Sequence, residues 1–526
     1  MRDDAGMRAG WGVWLAMAVL VFAPLVRGGN RPLALMVLEL AALGLLAAVA
    51  LRPHALAAVP VAMRWALGAL VLWSALQLLP LPFEWWARLP GRSEAAAAMA
   101  AAGVESAWMP MALVPLDAEQ AVWALLPPVA LFWLVVGQEV AQVRRLVGVF
   151  VAVATFQAVL GLMQYGAGPE SALRFGYEFY GDSAIGTYAN RSHLAGMLGM
   201  ALPIALGLLA AAIFGLSSDG ARKHGGWLAR FKGLASGGGK TNRVAVWSVV
   251  CVALLLGIVF ARSRTGIAVG MVGLVLTALL LMRNFGGGFA ARMMGAVAGL
   301  GVTLAVAVGL APVFARFGLD ATQDARWPML ATTLETAWRF FPLGSGPGTF
   351  VEVFRGVHPD SIGGEAFINH AHNDFAEWWL EGGVPAAVLL LAFTVLYGLR
   401  WRQVWAVRNW EALHMMQVGA GVGLLMLTLF GLTDYNLRIP ANQIYFALLA
   451  AVFFHPGEAS AARRGERRRV SRPSPSDQGG VPQDIDARLS EAKRNVGGWD
   501  GGGEASADKP GHTRPPLAPG SNPFAE

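Results

Sequence analysis

Polar residues interrupt this chain in short bursts, and between them lie apolar runs of 16 to 23 residues. A helix rises about 1.5 Å per residue, so runs of that length match helices crossing a hydrocarbon core about 30 Å thick. The pattern predicts twelve spans: Trp11–Val26, Leu33–Leu51, Val61–Leu79, Ala121–Gly137, Leu146–Gln164, His193–Gly215, Val244–Ala261, Thr265–Met282, Met293–Ala311, Trp378–Leu399, Ala412–Leu432 and Pro440–His455. The first run follows Arg2 and Arg8 but has no small-residue cleavage site before Arg27, so it reads as a retained span. The longest connection, 312–377, lies between the ninth and tenth spans. Residues 456–526, with an RRGERRR run and then Pro, Gly, Ser and charge, read as a disordered tail whose basic run lies near anionic headgroups. The expected organisation is an all-α polytopic membrane domain over 1–455, one large loop and a tail.

Composition strengthens this reading. The chain of 526 residues is 55% hydrophobic and only 14% charged, whereas about a quarter of the residues of a soluble chain are charged. Its single cysteine, Cys251, excludes an internal disulfide and any metal site built on paired thiolates. The net charge of +7 does not call for nucleic acid. With the N-terminus in the cytoplasm, the cytoplasmic loops carry 14 Lys or Arg in 67 residues and the opposite loops 13 in 151, as the positive-inside rule expects. The loop 216–243 alone supplies six, while 312–377 holds four basic and eight acidic residues and so faces outward. The connection from Pro80 to Gln120, with Trp85, Trp86 and Trp108, is expected along the outer interface.

Few motifs suggest chemistry. SGGGKT ends like a phosphate-binding loop, but Leu234 stands where the motif needs its first glycine, so a basic linker is the better reading and ATP is not the fuel. NHAHND, residues 369–374, could begin a metal site at His370, His372 and Asp374, or present a structural histidine or a general base. Phe375 occupies the position where the usual hydrolase form of that motif has a further histidine. Arg262 and Arg264, in ARSRTG, sit in a turn between two spans too short to leave the bilayer surface, and Arg326 opens DARWP. Guanidinium groups grip phosphate bidentately and stay charged, which suits a lipid-linked phosphate or pyrophosphate; interface anchoring is the plain alternative. PLGSGPGTF lacks the G-x-G-x-x-G spacing and reads as a tight turn. Glu377 and Glu381 share a helix face at the outer mouth of the tenth span, either paired with arginine or positioning an acceptor. Asp434 and Arg438, in LTDYNLRIP, and Asn190 and Arg191, in GTYANRSHLAG, join the same side.

ARSRTG, DARWP with PLGSGPGTF downstream, and HAHNDFAEWWLEGGVPA together resemble the O-antigen ligase and polymerase family of membrane glycosyltransferases, over about Gly186 to Pro440. The family pattern places nine residues between a His-Asn pair and G-x-x-G. Here nine residues separate His372 and Asn373 from Gly383, and Ala386 replaces the second glycine, a departure from the ligase form. The resemblance implies a GT-C-like helical enzyme in the bacterial inner membrane with its active site facing the periplasm. It implies an undecaprenyl-pyrophosphate-linked glycan as donor and a lipid A core sugar or a second lipid-linked glycan as acceptor, with inversion and no metal or other cofactor. It assigns His372 to activation of the acceptor hydroxyl and Arg264 and Arg326 to the pyrophosphate. Arg262, Arg191, Asn373, Glu377, Glu381 and Arg438 complete the expected substrate-binding set. Two competing classes are a transporter of lipid-linked sugar or another solute, and a metal-dependent hydrolase at His370, His372 and Asp374.

Overall fold

The computed structural model describes residues 2–51, 59–104, 106–176, 181–220, 239–283, 295, 299, 303, 326–359, 367–408 and 410–457. They belong to one compact unit, Met1–Ala462. The predicted ninth span, the first part of the 312–377 loop and the tail lie outside the described residues, apart from isolated positions and the tail's first two.

The main helices are α1 (Arg2–Phe22), α2 (Pro32–Ala50), α3 (Val61–Leu76), α4 (Pro115–Ala124), α5 (Leu126–Val136), α6 (Val140–Ala167), α7 (Arg191–Gly220), α8 (Gly239–Phe260), α9 (Arg264–Met282), α10 (Arg326–Arg339), α11 (Phe350–Arg355), α12 (Asp374–Ala406), α13 (Ala412–Phe430) and α14 (Pro440–Phe454). Among the described residues eight helical segments are long and apolar enough to cross a membrane, and the apolar helices Gly10–Phe22, Val61–Leu76 and Pro440–Phe454 are shorter. Each coincides with one of the predicted spans. The fourth is a joined pair, α4 and α5, because Pro127 and Pro128 can be accommodated only in the first turn of a new helix.

The centre of the bundle is α7 against α13, with α8 and α9 alongside. The windows of α7 and α13 are each 78% buried, against 6% for α12, which lies on the periphery. Close approach explains this partnership. A methyl group at Gly419 of α13 would run into the Pro203 carbonyl of α7, so glycine there lets the two backbones touch.

Connections gather at the end where the candidate polar residues lie. Ala184 N–H donates to the Phe260 carbonyl and Asp374 N–H to the Gly431 carbonyl, while the Thr433 hydroxyl donates to Thr265. Segment 183–188 is buried without being helical, so its backbone needs partners. Two glutamines of α6 supply them. Gln164 Oε1 accepts from Ile185 and Gly186 N–H, and Gln157 Oε1 accepts from Thr187 N–H.

The Pro80–Gln120 connection is more built than an interfacial strap. Pro80–Pro82 pairs antiparallel with Trp108–Pro110, and the buried Arg92 donates to the carbonyls of Pro90, Met111 and Gly344. That guanidinium staples the connection onto the PLGSGPGTF turn. Trp86 is buried in this element; Trp85 and Trp108 are exposed.

Candidate active site

Two short segments create the site: the NHAHND turn before α12 and the TDYNLR turn between α13 and α14. Asn373 caps α12, its side-chain carbonyl accepting from Phe375 and Ala376 N–H while its amide donates to the Leu432 carbonyl. The residue before it, His372, has φ +51°, a left-handed conformation uncommon outside glycine. That turn points consecutive side chains at different partners. Asp374 is fully buried and accepts from Leu437 N–H, which ties the two segments together.

His372 Nδ1 stands 3.3 Å from Asp434 Oδ1, and Arg326 Nη2 stands 3.8 Å from Asp434 Oδ2. Asp434 therefore joins the candidate base to one candidate phosphate-binding arginine, residues far apart in sequence. Burial alone would push the Asp434 carboxyl up. The adjoining His372 imidazole and the charges of His193, His372 and Arg326 outweigh burial and hold it well below the usual carboxylate range. Tyr435 N–H donates to the same Oδ1, at 2.9 Å.

Arg264 begins α9 immediately after Ser263, whose hydroxyl caps the helix at Gly266 N–H and lies 3.2 Å from the Ser192 hydroxyl. The next residue, Thr265, accepts from Thr433, the neighbour of Asp434. The turn bearing Arg264 is thus fastened to the segment bearing Asp434. Arg262 and Arg191 meet elsewhere, on Asp182: Arg262 Nη1 is 2.9 Å from Oδ2 and Arg191 Nη1 is 3.9 Å from Oδ1.

A second charged group lies beside the first. Arg438 places Nε 3.3 Å from Glu377 Oε1 and Nη1 2.7 Å from Glu381 Oε2, so both glutamates are paired with arginine. Burial opposes the charge on Arg438, but Glu377, Glu381 and Asp374 more than compensate and hold it firmly protonated. Glu377 also receives Ala371 N–H and faces His370 Nδ1 at 2.9 Å.

PLGSGPGTF supports this group from behind. Ser345 and Gly346 N–H donate to the Leu380 and Glu381 carbonyls, and Val384 N–H donates to Pro342. The turn can approach because Gly383 adopts φ +57°, ψ −145°, breaking α12; a side chain there would strike the Pro342 carbonyl. A continuous 33-residue helix would be about 50 Å long, more than a bilayer core needs. The break instead assigns the first turns of α12 to the site.

Residues 249–391, a little over a quarter of the chain, match the family model described as O-antigen ligase. Over this stretch the chain is similar to the O-antigen ligase family. No curated protein matches the chain. The O-antigen ligase match contains Arg262, Arg264, Arg326, His372, Asn373, Glu377 and Glu381; Arg191, Asp434 and Arg438 lie outside it. It is narrower than the region 186–440 expected from the motifs.

In the candidate site His370, His372 and Asp374 do not converge as a metal site would require. His370 faces Glu377, His372 faces Asp434 and Asp374 binds the Leu437 amide. Among the described residues no group of three His, Cys, Asp or Glu is placed to hold a metal ion. Sequence reasoning missed Asp182, His193 and Tyr435. Tyr435 alone carried a signal, because a polar residue between Asp434 and Arg438 in a turn between two apolar helices has few places to go but the site.

Proposed function

We propose that the protein transfers a glycan from an undecaprenyl-pyrophosphate-linked donor to a hydroxyl of an acceptor, a lipid A core sugar or a second lipid-linked glycan. The observation that carries the reading is the convergence of His372 and Arg326 on Asp434, beside the turn that presents Arg264. In this reading the membrane domain spans 1–455 with a GT-C-like architecture, the loop 312–377 faces the periplasm, and the tail 456–526 is cytoplasmic. The candidate site's ionisable groups lie together at one end of the bundle, which suits an enzyme acting at the membrane surface better than a carrier binding at the midplane.

Each residue then has a role. Asp434, 3.3 Å from Nδ1 of His372, favours the tautomer that carries its proton there and leaves Nε2 as the base. The acceptor oxygen attacks the anomeric carbon while the bond from that carbon to the pyrophosphate oxygen breaks. The hydroxyl proton passes to His372 Nε2, and undecaprenyl pyrophosphate leaves. Arg264 and Arg326 offset the charge that develops on the departing diphosphate, work a metal would otherwise do. A single displacement inverts the anomeric configuration. Arg191 and Arg262 extend the cationic surface toward the glycan or lipid side of the donor, and Asn373 holds the turn in register.

Purified protein in lipid nanodiscs, supplied with lipid-linked glycan and acceptor, is expected to transfer sugar with excess chelator present. His372→Ala, Arg264→Ala and Arg326→Ala should each lower turnover by at least about a hundredfold while leaving membrane insertion intact. Retained transfer in all three variants, or activity restored only by a divalent ion, overturns the site. Product length and attachment to lipid A core then separate ligase from polymerase.

A further inference from the structure

The reaction as drawn uses one imidazole, yet the site contains a second one set in the same way. His372 faces Asp434, which faces Arg326; His370 faces Glu377, which faces Arg438. Both carboxylates are 1% exposed, and the two imidazole side chains are 23% and 22% exposed. Tyr435 stands between them. Its ring stacks on His370 at 4.2 Å and meets His372 edge-on at 4.9 Å, so one residue limits the rotation of both imidazoles.

A buried strut is the plain reading of His370, and Glu377 tests it. Glu377 already accepts from the Ala371 amide and faces Arg438, so it has partners without an imidazole. A strut also has no need of an exposed edge. With Nδ1 turned inward to a buried carboxylate, the edge carrying Nε2 is the part of the ring that remains accessible.

Charge decides what that nitrogen can bind. Around His370 one guanidinium answers two carboxylates, Glu377 and Glu381, so the surroundings disfavour a phosphate. Around His372, among the described residues, the guanidiniums of Arg326 and of Arg264 on the adjoining turn accompany one carboxylate, Asp434, which favours a phosphate. The two halves therefore suit different substrates: an anionic donor on the His372 side and a neutral, polyhydroxylated acceptor on the His370 side.

We infer that His370 is an acceptor-binding residue, its Nε2 accepting a hydrogen bond from a sugar hydroxyl next to the one that His372 deprotonates. This deepens the glycosyl-transfer reading and rests on it. Glu377, Arg438 and Tyr435 are the positioning residues of this subsite.

The discriminating variant is His370→Asn, because its amide nitrogen falls near the place of Nδ1 and keeps the bond to Glu377 while Nε2 is deleted. Full-length protein in nanodiscs is assayed with undecaprenyl-pyrophosphate-linked glycan as donor. The acceptor is lipid A carrying a core oligosaccharide, or the lipid-linked glycan itself where the wild type elongates it. His370→Asn should raise the acceptor KM roughly tenfold, the scale of one lost hydrogen bond, with kcat within about threefold, donor KM unchanged and a wild-type melting temperature. His370→Gln, which restores a polar group near Nε2, should recover part of that loss. A wild-type acceptor KM in the Asn variant, an equal rise in donor KM, or failure of the Asn variant to fold each overturns the inference and leaves glycosyl transfer standing. A wild-type protein inactive on every such donor overturns both.

Discussion

At the scale of single residues the proposed chemistry turns on Asp434, because His372 and Arg326 both face it. Its folded carboxyl titrates below the ordinary aspartate value of about 4, so the sign of its linkage is fixed. The stability it contributes is fully present above that ordinary value and is lost as pH falls toward the folded one. Asp434→Asn should melt below the wild type at neutral pH, and the gap should narrow as the pH falls below about 4. Turnover should fall at least about a hundredfold, because the imidazole loses the partner that sets its tautomer. Melting curves across that pH range check the first expectation and single-turnover transfer the second; a gap that widens in acid would remove Asp434 from this role.

Among the elements, the break in α12 carries the most consequence, because it lets one continuous stretch of sequence serve both the site and the bilayer. Gly383→Ala forces a side chain into a conformation available almost only to glycine and into the Pro342 carbonyl. It should cost roughly 3 kcal/mol and detach the 342–346 turn from Leu380 and Glu381. Ala386→Gly, which installs the family's second glycine, should change stability by only about 1 kcal/mol, the helix propensity difference. Thermal melts of the two purified variants separate these cases; equal melting points would mean the break is not needed. The same element marks where sequence reading stopped. Apolar windows located the helices because burial and bilayer length leave a one-dimensional imprint, and eleven predicted spans fall on apolar helices. They could not find the break, since Trp378, Trp379 and Leu380 are as apolar as the span that follows. Nor could they pair His372 with Asp434 or Arg262 with Asp182, because those contacts are set by how distant turns meet, which no local pattern records.

For the whole molecule, sidedness is the property on which the donor's location depends. In the proposed orientation the loop charges place 216–243 in the cytoplasm, and twelve alternating spans would place Arg264, His372 and Asp434 on the opposite face. Cysteine chemistry can test this directly. The only native thiol, Cys251, is buried in α8, so the wild-type chain should resist a membrane-impermeant maleimide. Trp85 is 64% exposed on the connection that Arg92 staples to the PLGSGPGTF turn, so a cysteine there reports the site's side without touching the charged groups. In spheroplasts, Trp85→Cys should label before permeabilisation. Lys223→Cys, in the basic loop, should label only afterwards. The reverse pattern would put His372 in the cytoplasm and remove the periplasmic donor from the mechanism. For the proposed glycosyl transfer, the expected pattern would limit the substrate to glycans that have already crossed the membrane on their lipid, so a separate translocation step would have to precede it.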